Sequence, residues 1–249
     1  MGGRGALIGF KNRAGHHNKG MTDTFDQDSI TKKDTKIFKT LEKKNFVVMK
    51  STDRIPEEIF IPNMQKVNSI LQENPKLYEA LGNKKIYIRS EKFSDPHTLA
   101  CFDDNNPEKT QLIYNKSIIK QNRQQVEAVA SSQIKQKFWT PSDKNELVNH
   151  VAVHELGHFV QRILIDKQAK VDGKPKNFQS PRYDLNRAKE MRTEIKKICY
   201  NTFGQQPKIS EYGRNDPYEF FAEAFCEFYT TNNPSATAQA LGIYLKEKL

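Results

Sequence analysis

Hydrophobic and polar residues follow two different periods along the chain, and the change between them divides it into two parts. In the first part, short apolar or alternating runs bounded by turn residues predict β-strands. These runs lie at residues 46–49, 85–89, 98–102 and 111–115. A helix is predicted at residues 63–74, beginning only after the chain-breaking Pro62. This arrangement predicts an α+β protein with a small sheet.

The second part has apolar residues at helical spacing, which predicts a mostly helical C-terminal subdomain. Four helices are expected there, at residues 146–165, 182–203, 216–230 and 235–249. Ser142 is placed as the N-cap that precedes the first of them. Asp216 is placed as the N-cap of the third, with Pro217 at its first helical position. Residues 207–215 between the second and third helices are predicted to be a loop.

The helix at residues 146–165 carries the most informative chemistry. Apolar residues cover most of its circumference, so it is expected to be buried. His154 and His158 lie four residues apart on one face, the spacing at which two imidazoles reach one zinc ion. Glu155 follows the first histidine and is placed to accept a proton from a zinc-bound water. A metal also offsets the cost of burying these polar groups, and Gly157 allows another segment to approach.

A catalytic zinc site needs a third protein ligand, and the histidines do not supply it. None of the six histidines follows His158 in the sequence. His150 is two helical turns from His158, about 12 Å at 1.5 Å per residue, too far to share one ion with it. His150 is therefore interpreted as a surface group or a support for the site, and the third ligand is expected to be a carboxylate.

One cluster of acidic residues in the third C-terminal helix stands out. Three glutamates recur there every four residues and so share one face. They are Glu219, Glu223 and Glu227. Helix capping explains Glu219, and a solvated stripe explains Glu227, whereas Glu223 lies between small residues in a very apolar helix. The pattern alone leaves the choice among them open.

Two motifs together resemble the gluzincin metallopeptidases, in particular the family of the anthrax lethal factor catalytic domain and the Pro-Pro endopeptidases. They are HELGH at residues 154–158 and EYGRNDPYEFFAEAF at residues 211–225. The resemblance, which covers about residues 145–229, implies a zincin-like fold in which a small mixed sheet packs on a central HExxH helix. It implies that Glu219 is the third zinc ligand and that Tyr212 points at the substrate oxygen. It also implies that Glu223 supports a ligand histidine.

This set of residues predicts a zinc-dependent endopeptidase that hydrolyses peptide bonds in a protein substrate. Glu155 and Tyr212 are the expected catalytic residues, and Zn²⁺ is the expected cofactor. The alternative is a non-catalytic basic binding or structural protein of a phage or mobile element that retains the zincin fold. The completeness of the motif favours the enzyme.

The positive charge is distributed unevenly along the chain. The formal net charge is +10, and residues 161–208 hold twelve Lys or Arg against five Asp or Glu. Such a basic face can meet an acidic partner or nucleic acid. Because no nucleic-acid motif accompanies the charge, a solvated surface is the simpler interpretation.

Localisation follows from what the sequence lacks. The three cysteines are widely spaced and form no CxxC pair, which indicates a reducing compartment. No signal peptide or transmembrane run is found, so the chain is expected to be cytoplasmic, or delivered by a non-standard route, without a membrane partner.

The sequence divides into three expected regions. Residues 1–28, rich in Gly, Asn, Lys and His, are predicted to be a flexible basic arm. Residues 29–60 are an N-terminal extension, and residues 61–249 are the zincin-like metallopeptidase domain. The strand at residues 111–115, the last before the HExxH helix, is expected to form a free edge that an extended peptide joins.

Overall fold

The computed structural model describes residues 47–49, 55–81, 86–95, 98–106, 109–119, 122–175, 178 and 180–249. The predicted arm at residues 1–28 lies outside the described residues, as does most of the extension at residues 29–60. The chain divides into two compact units, with the boundary between Glu127 and Ala128.

The N-terminal unit contains a mixed sheet of four strands. They are β1 (Val47–Met49), β2 (Ile86–Glu91), β3 (Ala100–Asn106) and β4 (Lys109–Asn115). The order across the sheet is β1-β2-β4-β3, with β1, β2 and β4 parallel and β3 antiparallel to β4. Each strand overlaps one of the runs expected from the sequence, and the predicted α+β class is confirmed.

The position of β4 contradicts one expectation. Leu112 in β4 pairs with Ile88 of β2 on one side and with Phe102 of β3 on the other. The strand at residues 111–115 is therefore an interior strand, and the prediction that it forms a free edge is wrong. Alternation along a strand reports which face is buried, but it does not report which strands pair.

The first helix, α1 (Glu57–Glu73), begins six residues before its predicted start and contains Pro62. A proline inside a helix costs about 3 kcal/mol because it removes a hydrogen bond and crowds the preceding turn. Ile59, Phe60 and Met64 around the proline are all buried. At about 1.5–3 kcal/mol for each such side chain, their burial outweighs the break.

Three further helices lie between α1 and the HExxH segment. They are α2 (Pro75–Ala80), α3 (Lys116–Ile119) and α4 (Arg123–Lys135). The sequence pattern does not predict the last two, because α3 is too short to show a period and α4 buries only two of its side chains, Ala130 and Gln133.

The regular structure described in the C-terminal unit beyond α4 is helical. A 3₁₀ segment (Lys144–Asn149) leads into α5 (His150–Val171), followed by α6 (Pro181–Phe203), α7 (Glu211–Asn215), α8 (Pro217–Thr230) and α9 (Ala236–Lys248). The four predicted helices correspond to α5, α6, α8 and α9. None of the described helices is both long and apolar enough to span a membrane.

Two local predictions in this unit are wrong. The segment expected to be a loop contains α7, where the Ser210 hydroxyl accepts the Gly213 N–H at 3.1 Å. A helix of five residues shows no hydrophobic period, so the pattern does not reveal it. Ser142 does not cap a helix, because its hydroxyl lies 2.7 Å from His150 Nδ1 and 2.7 Å from Thr230 Oγ1.

Helices α5 and α8 approach closely at Gly157. A Cβ atom on Gly157 would lie 2.9 Å from the Ala222 Cα and 3.1 Å from the Phe225 Cβ. Only a glycine therefore fits here without moving the backbone of α8. This contact matters for the site, because Ala222 lies between Glu219 and Glu223 on α8.

Candidate metal centre

One face of α5 and the first turn of α8 bring three metal-ligating side chains together. His154, His158 and Glu219 offer ligating atoms that all lie within 4.8 Å of one another. Oε2 of Glu219 is 3.2 Å from Nε2 of His154 and 3.2 Å from Nε2 of His158. The three side chains are at most 8% exposed.

The local sequence explains how Glu219 reaches α5. The Asp216 carboxylate accepts the Tyr218 N–H at 2.7 Å, and Pro217 occupies the first helical position. These two residues fix the start of α8, as the sequence predicted. Glu219 therefore lies in the first turn, and the close packing at Gly157 brings that turn against the histidine face of α5.

The three ligating atoms fit a bound metal ion. Among the described residues, none of His154 Nε2, His158 Nε2 and Glu219 Oε2 makes an aligned hydrogen bond, although all three are buried. A buried polar atom without a partner costs about 1–3 kcal/mol, so three at one point would be strongly unfavourable. Two imidazole nitrogens and one carboxylate oxygen are the ligand set of catalytic zinc sites that keep a fourth position open. A metal ion between them accounts for the arrangement.

Glu223 holds His154 through the other ring nitrogen. Its Oε1 lies 3.0 Å from His154 Nδ1, and its Oε2 accepts the backbone N–H of Thr140 at 2.6 Å. The Thr140 hydroxyl also donates to the Glu223 carbonyl oxygen at 3.1 Å. Burial would raise the pKa of Glu223, but the contact with His154 lowers it, so the carboxylate is ionised. This contact fixes the ring orientation and leaves Nε2 for the metal.

The charges around His154 favour a cationic group at this position. Burial alone would lower the pKa of His154, but its contacts with the Glu219 and Glu223 carboxylates raise it to about 10. Burial would likewise raise the pKa of Glu219, whereas the two histidines lower it to about 2. The two carboxylates therefore stabilise positive charge at this position, which suits a divalent metal.

Glu155 and Tyr212 lie at the same cluster. Glu155 is completely buried on α5 between the two histidines. The Tyr212 ring lies 6.0 Å from the His154 ring, measured between centroids. Burial, followed by the charges of Glu219 and Glu155, raises the pKa of Tyr212 well above its ordinary value. The Tyr212 hydroxyl therefore stays protonated and remains a hydrogen-bond donor.

The irregular segment 137–143, which the sequence pattern does not predict, contacts both α7 and α8. The Phe138 carbonyl accepts the Tyr212 N–H at 3.2 Å, and the two rings stack with centroids 5.2 Å apart. Two residues later, Thr140 holds Glu223. One short segment thus positions two of the expected functional residues. Its backbone follows no regular period, so the pattern of the sequence carries no signal for it.

His150 is not a surface group. It is 1% exposed, and its ring stacks on Trp139 with centroids 4.7 Å apart. Its Nδ1 lies 2.7 Å from the Ser142 hydroxyl and 3.4 Å from the Cys226 sulfur. Burial lowers the pKa of His150 to about 4, although the Glu223 carboxylate opposes this shift. The neutral ring is therefore part of the buried interior, close enough to Glu223 for its charge to act on the ring.

Glu227 binds Ser235, the N-cap residue of the following helix α9. Its Oε1 accepts the Ser235 N–H at 2.7 Å, and its Oε2 accepts the Ser235 hydroxyl at 3.1 Å. Because Glu227 is 4% exposed, its interpretation as part of a solvated stripe is wrong. Burial raises the pKa of this carboxyl group. The three glutamates on one face of α8 therefore have three different environments.

The buried histidine–histidine–glutamate cluster has the ligand set of a zincin-like metallopeptidase, and a metallopeptidase family model is similar to this part of the chain. The particular family whose model matches is described as glucose-regulated metallo-peptidase M90, and the match covers residues 120–240, just under half of the chain. This range includes α5, α7 and α8, and with them the ligand cluster. No curated protein matches the chain.

Proposed function

We propose that the protein is a zinc-dependent endopeptidase of the gluzincin type, with His154, His158 and Glu219 as the zinc ligands. When bound there, zinc lowers the pKa of a water molecule toward about 7 and polarises the scissile carbonyl. The observation that carries the proposal is the convergence of three buried ligating atoms that have no other aligned partner among the described residues.

Glu155 is proposed as the base and acid of the reaction. Its carboxylate is completely buried next to both histidine ligands, so little water competes for it. In this role it accepts the proton of the attacking water and then passes it to the leaving amine. An acid–base residue of this kind contributes about 10²–10⁴-fold in rate.

Tyr212 and Glu223 are proposed to support the reaction in different ways. Tyr212 keeps its proton and donates a hydrogen bond to the negative charge that develops on the scissile carbonyl oxygen. Glu223 orients the His154 ring through Nδ1, and Thr140 in turn orients Glu223. Glu223 touches neither substrate nor the reacting atoms, so it is a positioning residue.

The proposal is tested by incubating the protein with a library of peptides and sequencing the products. Cleavage at internal bonds is expected, and a chelator such as 1,10-phenanthroline should stop it until zinc is restored. Cleavage that persists in the metal-free protein would show that the metal is not needed for the reaction. A complete lack of products with the zinc-loaded protein would contradict the endopeptidase assignment.

Tyr212→Phe is expected to slow cleavage while the metal stays bound. The substitution removes one hydrogen-bond donor to the developing charge, which is worth about 10²–10³-fold in kcat. Kinetics on a cleaved library peptide, together with metal content, measure both effects. Tyr200→Phe is the control, because Tyr200 is 58% exposed on α6. Equal kcat values for Tyr212→Phe and the parent would remove Tyr212 from the mechanism.

Glu223→Gln is expected to weaken metal binding without abolishing it. The amide keeps the shape of the side chain but loses the charge that holds His154, and loss of such a partner lowers metal affinity about 10–100-fold. Competition with a chelator of known affinity measures the change. The matched control is Glu227→Gln on the same helix, which alters the contact with Ser235. Equal losses of affinity in the two variants would mean that Glu223 acts only through stability.

A further inference from the structure

A small basic pocket lies in the C-terminal unit beside the start of α8. Its volume is about 280 Å³. Four cationic side chains line it, and they are Arg192, Lys196, Lys208 and Arg214. Pro207, Ile209 and Phe220 complete the lining, which includes no carboxylate. The pocket is therefore uniformly positive with an apolar wall.

Two of the cations are held in place. Arg192 and Lys196 lie one turn apart on α6, with the Arg192 guanidinium carbon 5.4 Å and Lys196 Nζ 5.7 Å from the centre of the Phe220 ring. Arg192 also donates to the Arg214 carbonyl oxygen at 2.7 Å. Contacts with an aromatic ring and with backbone restrict these side chains, so less entropy is lost when they bind an anion.

None of the four cations forms an ion pair with a carboxylate of the described residues. Other basic groups on the same unit pair with carboxylates: Arg162 with Asp184, Arg187 with Glu190, and Lys248 with Glu194. No such pair forms at the pocket in the part of the chain that the structure describes. Burial, together with the charge of Arg192, lowers the pKa of Lys196. A bound anion would relieve this repulsion.

The dimensions favour a carboxylate from a peptide over a nucleic acid. At about 280 Å³ the pocket is just below the range for small-ligand sites, roughly 300–1,000 Å³, and this size suits one or two acidic side chains. Proteins that hold single-stranded nucleic acid present aromatic rings on which bases stack. Phe220 is 1% exposed and cannot serve in this way. Pro207 and Ile209, which are only partly buried, provide an apolar wall that matches the aliphatic stem of a glutamate.

We infer that this pocket binds the carboxylate of an acidic peptide segment and selects protein substrates that carry one. The inference rests on the proposed endopeptidase function. Phe220 directly follows the ligand Glu219 on α8, and Arg214 lies two residues after Tyr212 on α7. The pocket is therefore built on the same two short elements that carry the proposed site. A substrate with an acidic residue away from the scissile bond binds the protein more tightly, because that residue occupies the pocket.

The proposed site is tested by measuring the binding of a labelled hexaglutamate peptide by fluorescence anisotropy. The salt concentration is about 0.15 M, at which distant exposed charges are screened. The full-length, zinc-loaded protein carries Glu155→Gln, so that binding is observed without cleavage. Hexaglutamate is expected to bind and hexaglutamine is not. Adding Lys196→Gln with Arg214→Gln should raise Kd at least tenfold. The control pair, Lys170→Gln with Lys197→Gln, removes the same charge at exposed positions and should change Kd less than twofold.

A second pocket variant is needed in case the first one fails to fold. Lys208→Gln with Arg214→Gln leaves both cations on Phe220 in place, and it should also raise Kd at least tenfold. Equal weakening by the pocket and control pairs would overturn the inference, as would equal binding of hexaglutamine. Tighter binding of a single-stranded oligonucleotide, lost in the same variants, would assign the pocket to nucleic acid instead. These outcomes are independent of whether the parent cleaves peptides.

Discussion

Replacing Glu155 with glutamine is expected to abolish peptide hydrolysis and leave the metal in place. The amide has nearly the same size as the carboxylate but cannot accept a proton from water at neutral pH. Because Glu155 is completely buried beside the histidines, no exposed acid replaces it in that position. The expected loss in kcat is about 10²–10⁴-fold. It is measured on a peptide that the parent cleaves, with metal content determined on the same sample.

The control for this experiment is Glu211→Gln. Glu211 is an exposed neighbour of Tyr212 on α7, so the substitution removes the same charge at the edge of the site and should leave kcat unchanged. If Glu155→Gln cleaves as fast as the parent, the proposed proton transfer is wrong. If Glu155→Gln is inactive but has also lost its metal, the loss of activity is explained by the missing metal and not by the missing base.

Replacing Glu219 with alanine is expected to release the metal. Glu219 Oε2 is the carboxylate oxygen that lies 3.2 Å from both histidine nitrogens, so its removal leaves only two ligands. The loss of affinity should exceed the roughly 10–100-fold that removal of a supporting partner costs. Activity should fall with metal content, and added zinc should restore it only at high concentration.

Glu227→Ala is the matched control, four residues along from Glu223 on the same helix face. It removes the acceptor of two hydrogen bonds from Ser235, the N-cap of α9, and should lower stability by about 1–3 kcal/mol while metal stays bound. A Glu219→Ala protein that keeps its zinc would point to Glu223 as the third ligand. That result would conflict with the contacts of Glu223, whose two oxygens already lie against His154 and Thr140.

The histidine pair was predictable because it depends only on helical geometry. Once residues 146–165 are expected to be a helix, His154 and His158 must share a face, and the structure places their rings 4.8 Å apart. The choice of Glu219 among three glutamates is different. The helical period places all three on one face, so only the resemblance to a known family distinguished them. Their separate roles depend on tertiary contacts that no local pattern contains.

The missed features share a physical cause. The segment at residues 137–143 makes its contacts through backbone groups, such as the Thr140 N–H on Glu223, and backbone groups carry no sequence signature. The sequence also does not predict that β4 pairs on both sides, because the alternation along a strand shows its buried face but not its neighbours. The interpretation of Pro62 as a helix break failed for a related reason. Burial around it, which is a tertiary effect, outweighs the local preference.

The zinc content of the parent protein tests the central claim most directly. The protein is purified without added metal, exchanged into metal-free buffer and measured by elemental analysis against protein concentration. The account predicts about one zinc per chain in the parent, as three ligands with one open position require. A folded parent that holds no zinc, even after zinc is supplied, would contradict the account.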